Sequence, residues 1–193
     1  MNYLAHAYLS YNHPQILVGN IISDFVKGKK QYDYPEFILK GIKLHRSIDE
    51  FTDVHYIVQE AKEVFRPHYR LYASPIVDVV FDHFVAKSLS KENLFSFTQI
   101  TYQTLDEHHS FLPERFQKIF PYMKEQNWLY NYREQWGIER SLGGLVRRSK
   151  YMEDSAIAFA LFQNHYDFLE KQFSLFFADV KNFSKHQLQD LFL

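Results

Sequence analysis

Apolar residues recur along this chain at the three- and four-residue intervals of an amphipathic helix, and no stretch alternates with the period of two that marks a half-buried strand. A first helix is expected from about Asn2 to Tyr11, stopped by the turn signal Asn12-His13-Pro14, and a second from about Gln15 to Val26. The loop Lys27-Gly28-Lys29-Lys30 leads to Pro35, which suits the first position of a third helix running to about Phe51. Tyr56 to Phe65 has helical spacing in Ile57, Ala61 and Val64. Ser74-Pro75 reads as an N-cap and first turn of a helix reaching about Leu89, and Ser90 as the cap of one reaching about Glu107. Pro113 opens another that ends near Pro121, Trp128 to Trp136 is ambiguous, and Glu139 to Arg148 predicts a short helix. Asp154 to Val180 predicts one long helix with Phe159, Phe162, Tyr166, Leu169 and Phe173 aligned, and Ser184 to Leu193 a short last one. No internal repeat, long linker or low-complexity tract interrupts the pattern. The expectation is a single all-α domain over residues 1–193, a helical bundle.

Composition narrows the function classes. The 193 residues are 46% hydrophobic and 23% charged, an ordinary balance for a folded chain. The absence of cysteine removes disulfides, thiolate metal sites and a cysteine nucleophile. A formal net charge of -1 argues against a polybasic nucleic-acid binder. No charged residue precedes Asp24, yet the start has no basic n-region and is broken by Asn12-His13-Pro14-Gln15. That fits neither a signal peptide nor a membrane span, so a soluble, cytoplasmic protein with buried first helices is expected. No glycine-rich phosphate loop and no serine-hydrolase elbow is present.

The chemistry-bearing residues fall at helical spacing. Asn2 pairs with His6, Asn20 with Asp24, and Asp78 with Asp82; His45, Asp49 and Asp53 form a run of three, and His83 follows Asp82. On the third helix the run continues the direction of Ile38 and Ile42, so an apolar stripe turns into an acid and imidazole stripe. The helix after Pro75 is apolar almost all round and should be buried, with Asp78 and Asp82 as a narrow acidic line on it. Buried carboxylates are costly unless paired or bound to metal. Oxygen and nitrogen ligands without thiolates suit Mn²⁺, Mg²⁺, Fe²⁺ or Zn²⁺. From spacing alone, a metal hydrolase and a network of satisfied buried His and Asp stand level. Arg46 is placed to hold a phosphate or to neutralise Asp49 or Glu50.

Five segments carry a resemblance. Met1-Asn2-Tyr3-Leu4-Ala5-His6, Gly19-Asn20-Ile21-Ile22-Ser23-Asp24-Phe25-Val26-Lys27-Gly28, Gly41-Ile42-Lys43-Leu44-His45-Arg46-Ser47-Ile48-Asp49 with Thr52-Asp53, and Asp78-Val79-Val80-Phe81-Asp82-His83-Phe84 resemble the acyl carrier protein phosphodiesterase family, and Gly143 with Arg147-Arg148 resembles a weaker block of it. The resemblance implies an all-helical fold, a permuted relative of HD-type metal phosphohydrolases. It also implies hydrolysis of the phosphodiester joining 4'-phosphopantetheine to the serine of holo-acyl carrier protein, with a divalent metal, typically Mn²⁺. By the same resemblance Asp24, His45, Asp49, Asp82 and His83 are metal ligands, and Asp24, His6, His83 and Arg46 serve catalysis. Asn2 and Asn20 would hydrogen-bond behind the ligands, and Asp53 and Asp78 are as readily structural.

The expected partner is an acidic holo-acyl carrier protein, met by the local basic patches Lys27-Gly28-Lys29-Lys30 and Arg147-Arg148-Lys150, with no nucleic acid and no membrane. The alternatives are an HD-type phosphohydrolase acting on a nucleotide or other small phosphodiester, and a helical binding module without turnover.

Overall fold

In the computed structural model, which describes residues 2–191, helices follow one another with short turns between them. They are α1 (Tyr3–Tyr8), α2 (Pro14–Ile22), α3 (Glu36–Val54), α4 (Tyr56–Glu63), α5 (Arg66–Tyr69), α6 (Ala73–Ser88) and α7 (Lys91–Glu107), then α8 (Glu114–Gln117), α9 (Phe120–Glu125), α10 (Trp128–Asn131), α11 (Gln135–Arg148), α12 (Ala156–Asn164) and α13 (Tyr166–Asp190). Among the described residues there is no strand, so the fold is all-α as expected.

Where boundaries differ from expectation, local chemistry explains most of it. α1 stops at Tyr8 because Tyr11 and Asn12 take left-handed φ values of 50° and 60°, which turn the chain toward Pro14 at the first position of α2. α2 ends at Ile22, and Ser23–Phe25 tightens into a 3-10 turn that lifts Asp24 off the helix. The basic loop also becomes a 3-10 segment, Gly28–Asp33, with Gly28 at φ 57°. α6 begins at Ala73, so Ser74 is not its cap; its hydroxyl faces Asp53 Oδ1 at 3.4 Å. Ser90 does cap α7, its Oγ accepting from the Asn93 N–H at 3.1 Å. The segment after Pro113 is split between α8 and α9.

The expected single helix from Asp154 is two, broken at His165 (φ -110°, ψ 21°) with no proline or glycine to mark it. The aromatic stripe survives the break because Phe162, Leu169 and Phe173 all stay buried in one core. α13 continues through Ser184 to Asp190, and the expected end of a last helix at Leu193 lies outside the described residues. No helix among the described residues is long and apolar enough to cross a membrane.

α6 runs through the centre. Its Ile76, Val77, Val80, Phe81, Phe84 and Val85 are buried, as an all-round apolar helix must be. Phe81 and Phe84 both meet Phe173 of α13, with ring centroids 5.7 and 5.6 Å apart. The backbones of α2 and α3 approach closely. A Cβ on Gly19 would lie 2.0 Å from the Ile38 carbonyl oxygen, and one on Gly41 2.2 Å from that of Ile16. Two glycines therefore let the helix backbones touch. That contact seats Asn20 of α2 against His45 of α3, whose Nδ1 is 2.6 Å from the Asn20 carbonyl oxygen.

Candidate metal centre

Three elements converge where α2 and α3 touch. α1 supplies His6, α3 supplies His45 and Asp49 one turn apart, and the turn after α2 supplies Asp24. The two imidazoles stack with centroids 3.9 Å apart and planes 18° from parallel. Asn20 sits behind both. Its Nδ2 donates to the His6 carbonyl at 2.8 Å and to Ser10 Oγ at 3.0 Å, so its Oδ1 is the acceptor for His6 Nδ1 at 2.8 Å. Its main-chain carbonyl accepts from His45 Nδ1. Both rings therefore commit the Nδ1 hydrogen to Asn20 and turn Nε2 toward Asp49. His6 Nε2 is 3.2 Å from Asp49 Oδ1, and His45 Nε2 is 3.0 Å from Asp49 Oδ2 and 3.2 Å from Asp24 Oδ1.

The electrostatics follow from that arrangement. A neutral imidazole with its hydrogen on Nδ1 presents a bare lone pair at Nε2, and a lone pair facing a carboxylate at this range is repulsive without a cation between them. His6 Nε2 is buried, and despite the short distance its geometry toward Asp49 makes no hydrogen bond. Burial, then the charge of His45, depress His6 to about 4. Burial also works against a charged His45, but the hydrogen bonds and charges of Asp24 and Asp49 outweigh it and hold this ring up at about 9. Burial opposes ionisation of Asp49 too, yet the two histidines hold its carboxyl well below the usual carboxylate range. Hydrogen bonding to His45 lowers Asp24 against a smaller desolvation effect.

Ligand atoms of His6, His45 and Asp49 all lie within 4.8 Å of one another. The orphaned Nε2, the fixed Nδ1 hydrogens and the converging carboxylates fit a divalent ion with oxygen and nitrogen preference. Metal-binding histidines are commonly oriented through the second ring nitrogen in this way.

Other expected site residues go elsewhere. Asp82 accepts from the backbone N–H groups of Asn2 (3.3 Å), Leu4 (2.9 Å) and Ala5 (3.1 Å), so it caps α1 from a different helix. Burial pushes its carboxyl up to about 7 against those donors. His83, the next residue, points about 100° away around α6. Its Nδ1 donates to the Tyr132 carbonyl at 2.7 Å and its Nε2 accepts from Tyr166 Oη at 2.9 Å, so both nitrogens are engaged away from the cluster. Burial holds His83 at about 4. Arg46 donates to Gln31 Oε1 at 2.7 Å and to the Val26 carbonyl at 3.0 Å, tying down the segment after Asp24. Asn2 Nδ2 donates to Tyr132 Oη at 3.1 Å. Asp53 pairs with Lys62 at 3.0 Å, beyond the cluster on α3, and burial raises the Asp78 carboxyl.

A cavity of about 530 Å³ opens beside the start of α1, lined by Asn2, Tyr3 and residues of α10 and α11 that include Trp128, Trp136 and Arg148. The sequence offered Arg147 and Arg148 as part of a surface patch for an acidic partner, and Gly143 with them as a weaker family block, but no cavity. A further signal was the recurrence of Arg140, Gly143-Gly144 and Arg147 on a single helix face.

The chain has clear relatives. The family described as acyl carrier protein phosphodiesterase matches residues 1–180. A protein of that name from Klebsiella pneumoniae subsp. pneumoniae is 34% identical over 191 residues, 97% of this chain and 99% of the relative. One from Yersinia pestis is 32% identical, and one from Escherichia coli O139:H28 is 30% identical, each over the same shares. No solved structure matches the chain, so the expected HD-type likeness has no structural neighbour beside it.

Proposed function

The chain belongs to the acyl carrier protein phosphodiesterase family, and from that premise we propose that it is a divalent-metal-dependent enzyme that cleaves the phosphodiester between 4'-phosphopantetheine and the serine of holo-acyl carrier protein, leaving apo carrier. The observation that carries the metal dependence is the paired orientation of His6 and His45, both held at Nδ1 by Asn20 and both turning Nε2 to Asp49. The carrier as substrate is supported by the names of the relatives.

In this reading His6 Nε2, His45 Nε2 and the carboxylates of Asp49 and Asp24 hold the ion, with Mn²⁺ the first choice and Mg²⁺, Fe²⁺ or Zn²⁺ also suited to the donors. Such an ion supplies Lewis acidity at a phosphoryl oxygen and at water. The remaining work belongs to the chain. Asn20 locks both tautomers, so the rings need no reorganisation. Asp24 is 74% exposed at its side chain and ionised, and the oxygen that lies 3.2 Å from His45 Nε2 would turn to the ion. Its other oxygen is the acceptor for the proton of the attacking water. Neither His6 nor His83 presents an N–H to a leaving oxygen, so the serine alkoxide takes its proton from solvent. Arg46 steadies the segment that carries Asp24.

Holo-acyl carrier protein incubated with the protein and Mn²⁺, with an EDTA control, tests this by the carrier's intact mass. Loss of the prosthetic group only with metal is expected. A carrier of unchanged mass, with Mn²⁺ bound to the protein, would overturn it.

A further inference from the structure

The cavity beside α1 has features that the fold does not need. Gly143 and Gly144 lie inside α11, where glycine is the least favourable residue after proline. At Gly19, Gly41 and Gly137 a Cβ would strike backbone at 1.9 to 2.2 Å, so packing demands glycine there. At Gly143 and Gly144 a Cβ would meet nothing nearer than the Arg147 guanidinium, at 3.6 Å. Packing gives no reason for this pair, and both line the cavity.

Arg140, Arg147 and Arg148 line the same cavity, and among the described residues none of the three makes an ion pair. The Arg140 guanidinium lies over the ring of Trp136, 5.9 Å from its centroid.

The cavity also adjoins the metal centre. Tyr132 in its wall is hydrogen-bonded to Asn2, one helical turn before His6. Tyr3, also in the wall, lies close enough to both Arg148 and Asp24 for its hydroxyl to feel their charges.

We propose that this cavity holds the phosphopantetheine arm of the substrate, phosphate end toward Tyr3 and Arg148 and chain laid over the Gly143-Gly144 floor between Trp128 and Trp136. The assignment rests on the phosphodiesterase reading. The arm is slender, carries two amides and a branched dimethyl carbon, and ends at its phosphate in negative charge. Asn131, Gln126 and Ser141 offer amide and hydroxyl partners, the indoles offer apolar faces, and the glycines let a chain lie against helix backbone. A volume of about 530 Å³ suits a ligand of that size.

Gly144→Leu fills the floor, and Arg148→Gln removes the charge. Four quantities are read on the native protein and both variants: the melting temperature, Mn²⁺ affinity, KM for holo-acyl carrier protein, and inhibition by free 4'-phosphopantetheine beside inorganic phosphate. For Gly144→Leu the expected result is a melting temperature unchanged or raised, Mn²⁺ affinity unchanged, KM raised at least tenfold and inhibition by phosphopantetheine weakened at least tenfold. Arg148→Gln should weaken the same inhibition severalfold. On the native protein, phosphopantetheine should inhibit at least tenfold better than inorganic phosphate.

A Gly144→Leu protein that melts clearly lower overturns the assignment, because packing then explains the glycine. So does one that cleaves the carrier and is inhibited like the native protein, or a native protein inhibited no better by phosphopantetheine than by phosphate. A native protein that leaves holo carrier intact with Mn²⁺ bound overturns the phosphodiesterase reading itself, which the other outcomes leave standing.

Discussion

Asn20 reaches His6 through its side chain and His45 through its main chain, so a substitution removes only one of the two contacts. Asn20→Ala should free His6 to rotate, leave Ser10 Oγ without its donor, and leave the His6 carbonyl with the Ser10 hydroxyl alone. The expected cost is about 1–3 kcal/mol of stability, read by urea denaturation. Mn²⁺ affinity should fall roughly 10- to 100-fold, read by titration. Native-like affinity in the variant would mean that His6 is oriented by something else.

His83 gives a separable pH effect. Its pKa in the fold is about 4, against 6.5 for the free side chain, so between those values the unfolded chain binds a proton that the native one does not. Stability from this residue is therefore complete above about pH 6.5, falls with falling pH, and levels off below about 4, at most roughly 1.4 kcal/mol per pH unit. His83→Phe should be less stable at pH 7, since the Tyr132 carbonyl loses its donor, but its urea midpoint should vary less between pH 7 and 5. Parallel pH profiles for the two proteins would assign the acid sensitivity elsewhere.

Two contacts between elements hold the centre together. The first is the Gly19 and Gly41 crossing. Gly41→Ala puts a methyl group into the Ile16 carbonyl and must push α2 from α3, at a cost of about 1–3 kcal/mol or more. The same substitution at Gly144 should stabilise by about 1 kcal/mol, because helix propensity alone changes there. Thermal denaturation of the pair decides it, and similar shifts would contradict the contrast in space around them.

The second contact is Asp82 under α1. A six-residue helix is far too short to persist alone, and this one carboxylate accepts from two of its first N–H groups, Leu4 and Ala5, and from that of its N-cap Asn2. This was hidden in the sequence, where Asp82-His83 reads as a joint pair of ligands. Adjacent residues on a helix diverge by about 100°, so α6 sends Asp82 to α1 and His83 to Tyr132 and Tyr166. The run from His45 to Asp49 was legible because one turn of helix keeps them on one face, whereas the tautomer lock by Asn20 depends on a crossing no spacing reveals.

At the scale of the whole molecule, the all-helical class was legible from the period of the apolar residues, while the break at His165 was not, since neither proline nor glycine stands there and the apolar period runs through it. The cavity was illegible because α10, which supplies part of its wall, is a single turn with too little periodicity to place its face. The chain is near neutral overall, with carboxylates gathered at the α2 and α3 crossing and the guanidinium groups of Arg140, Arg147 and Arg148 along the α11 wall of the cavity. If the centre holds metal, binding should stabilise the whole fold. Mn²⁺ at a hundred times its dissociation constant adds about 2.7 kcal/mol, or roughly 5–10 °C in melting temperature for a chain of this size, reversed by EDTA. An equal melting temperature with and without EDTA would remove the ion from the native state.

The clamp on α1 has a consequence for synthesis. His6, Asp24, His45 and Asp49 all leave the ribosome before Asp82 does, so a growing chain carries every proposed ligand while the helix that aims His6 has no cap. Chelating power should therefore arrive late and all at once, when α6 docks, and a released fragment ending before α6 should bind Mn²⁺ no better than an unfolded peptide of the same composition.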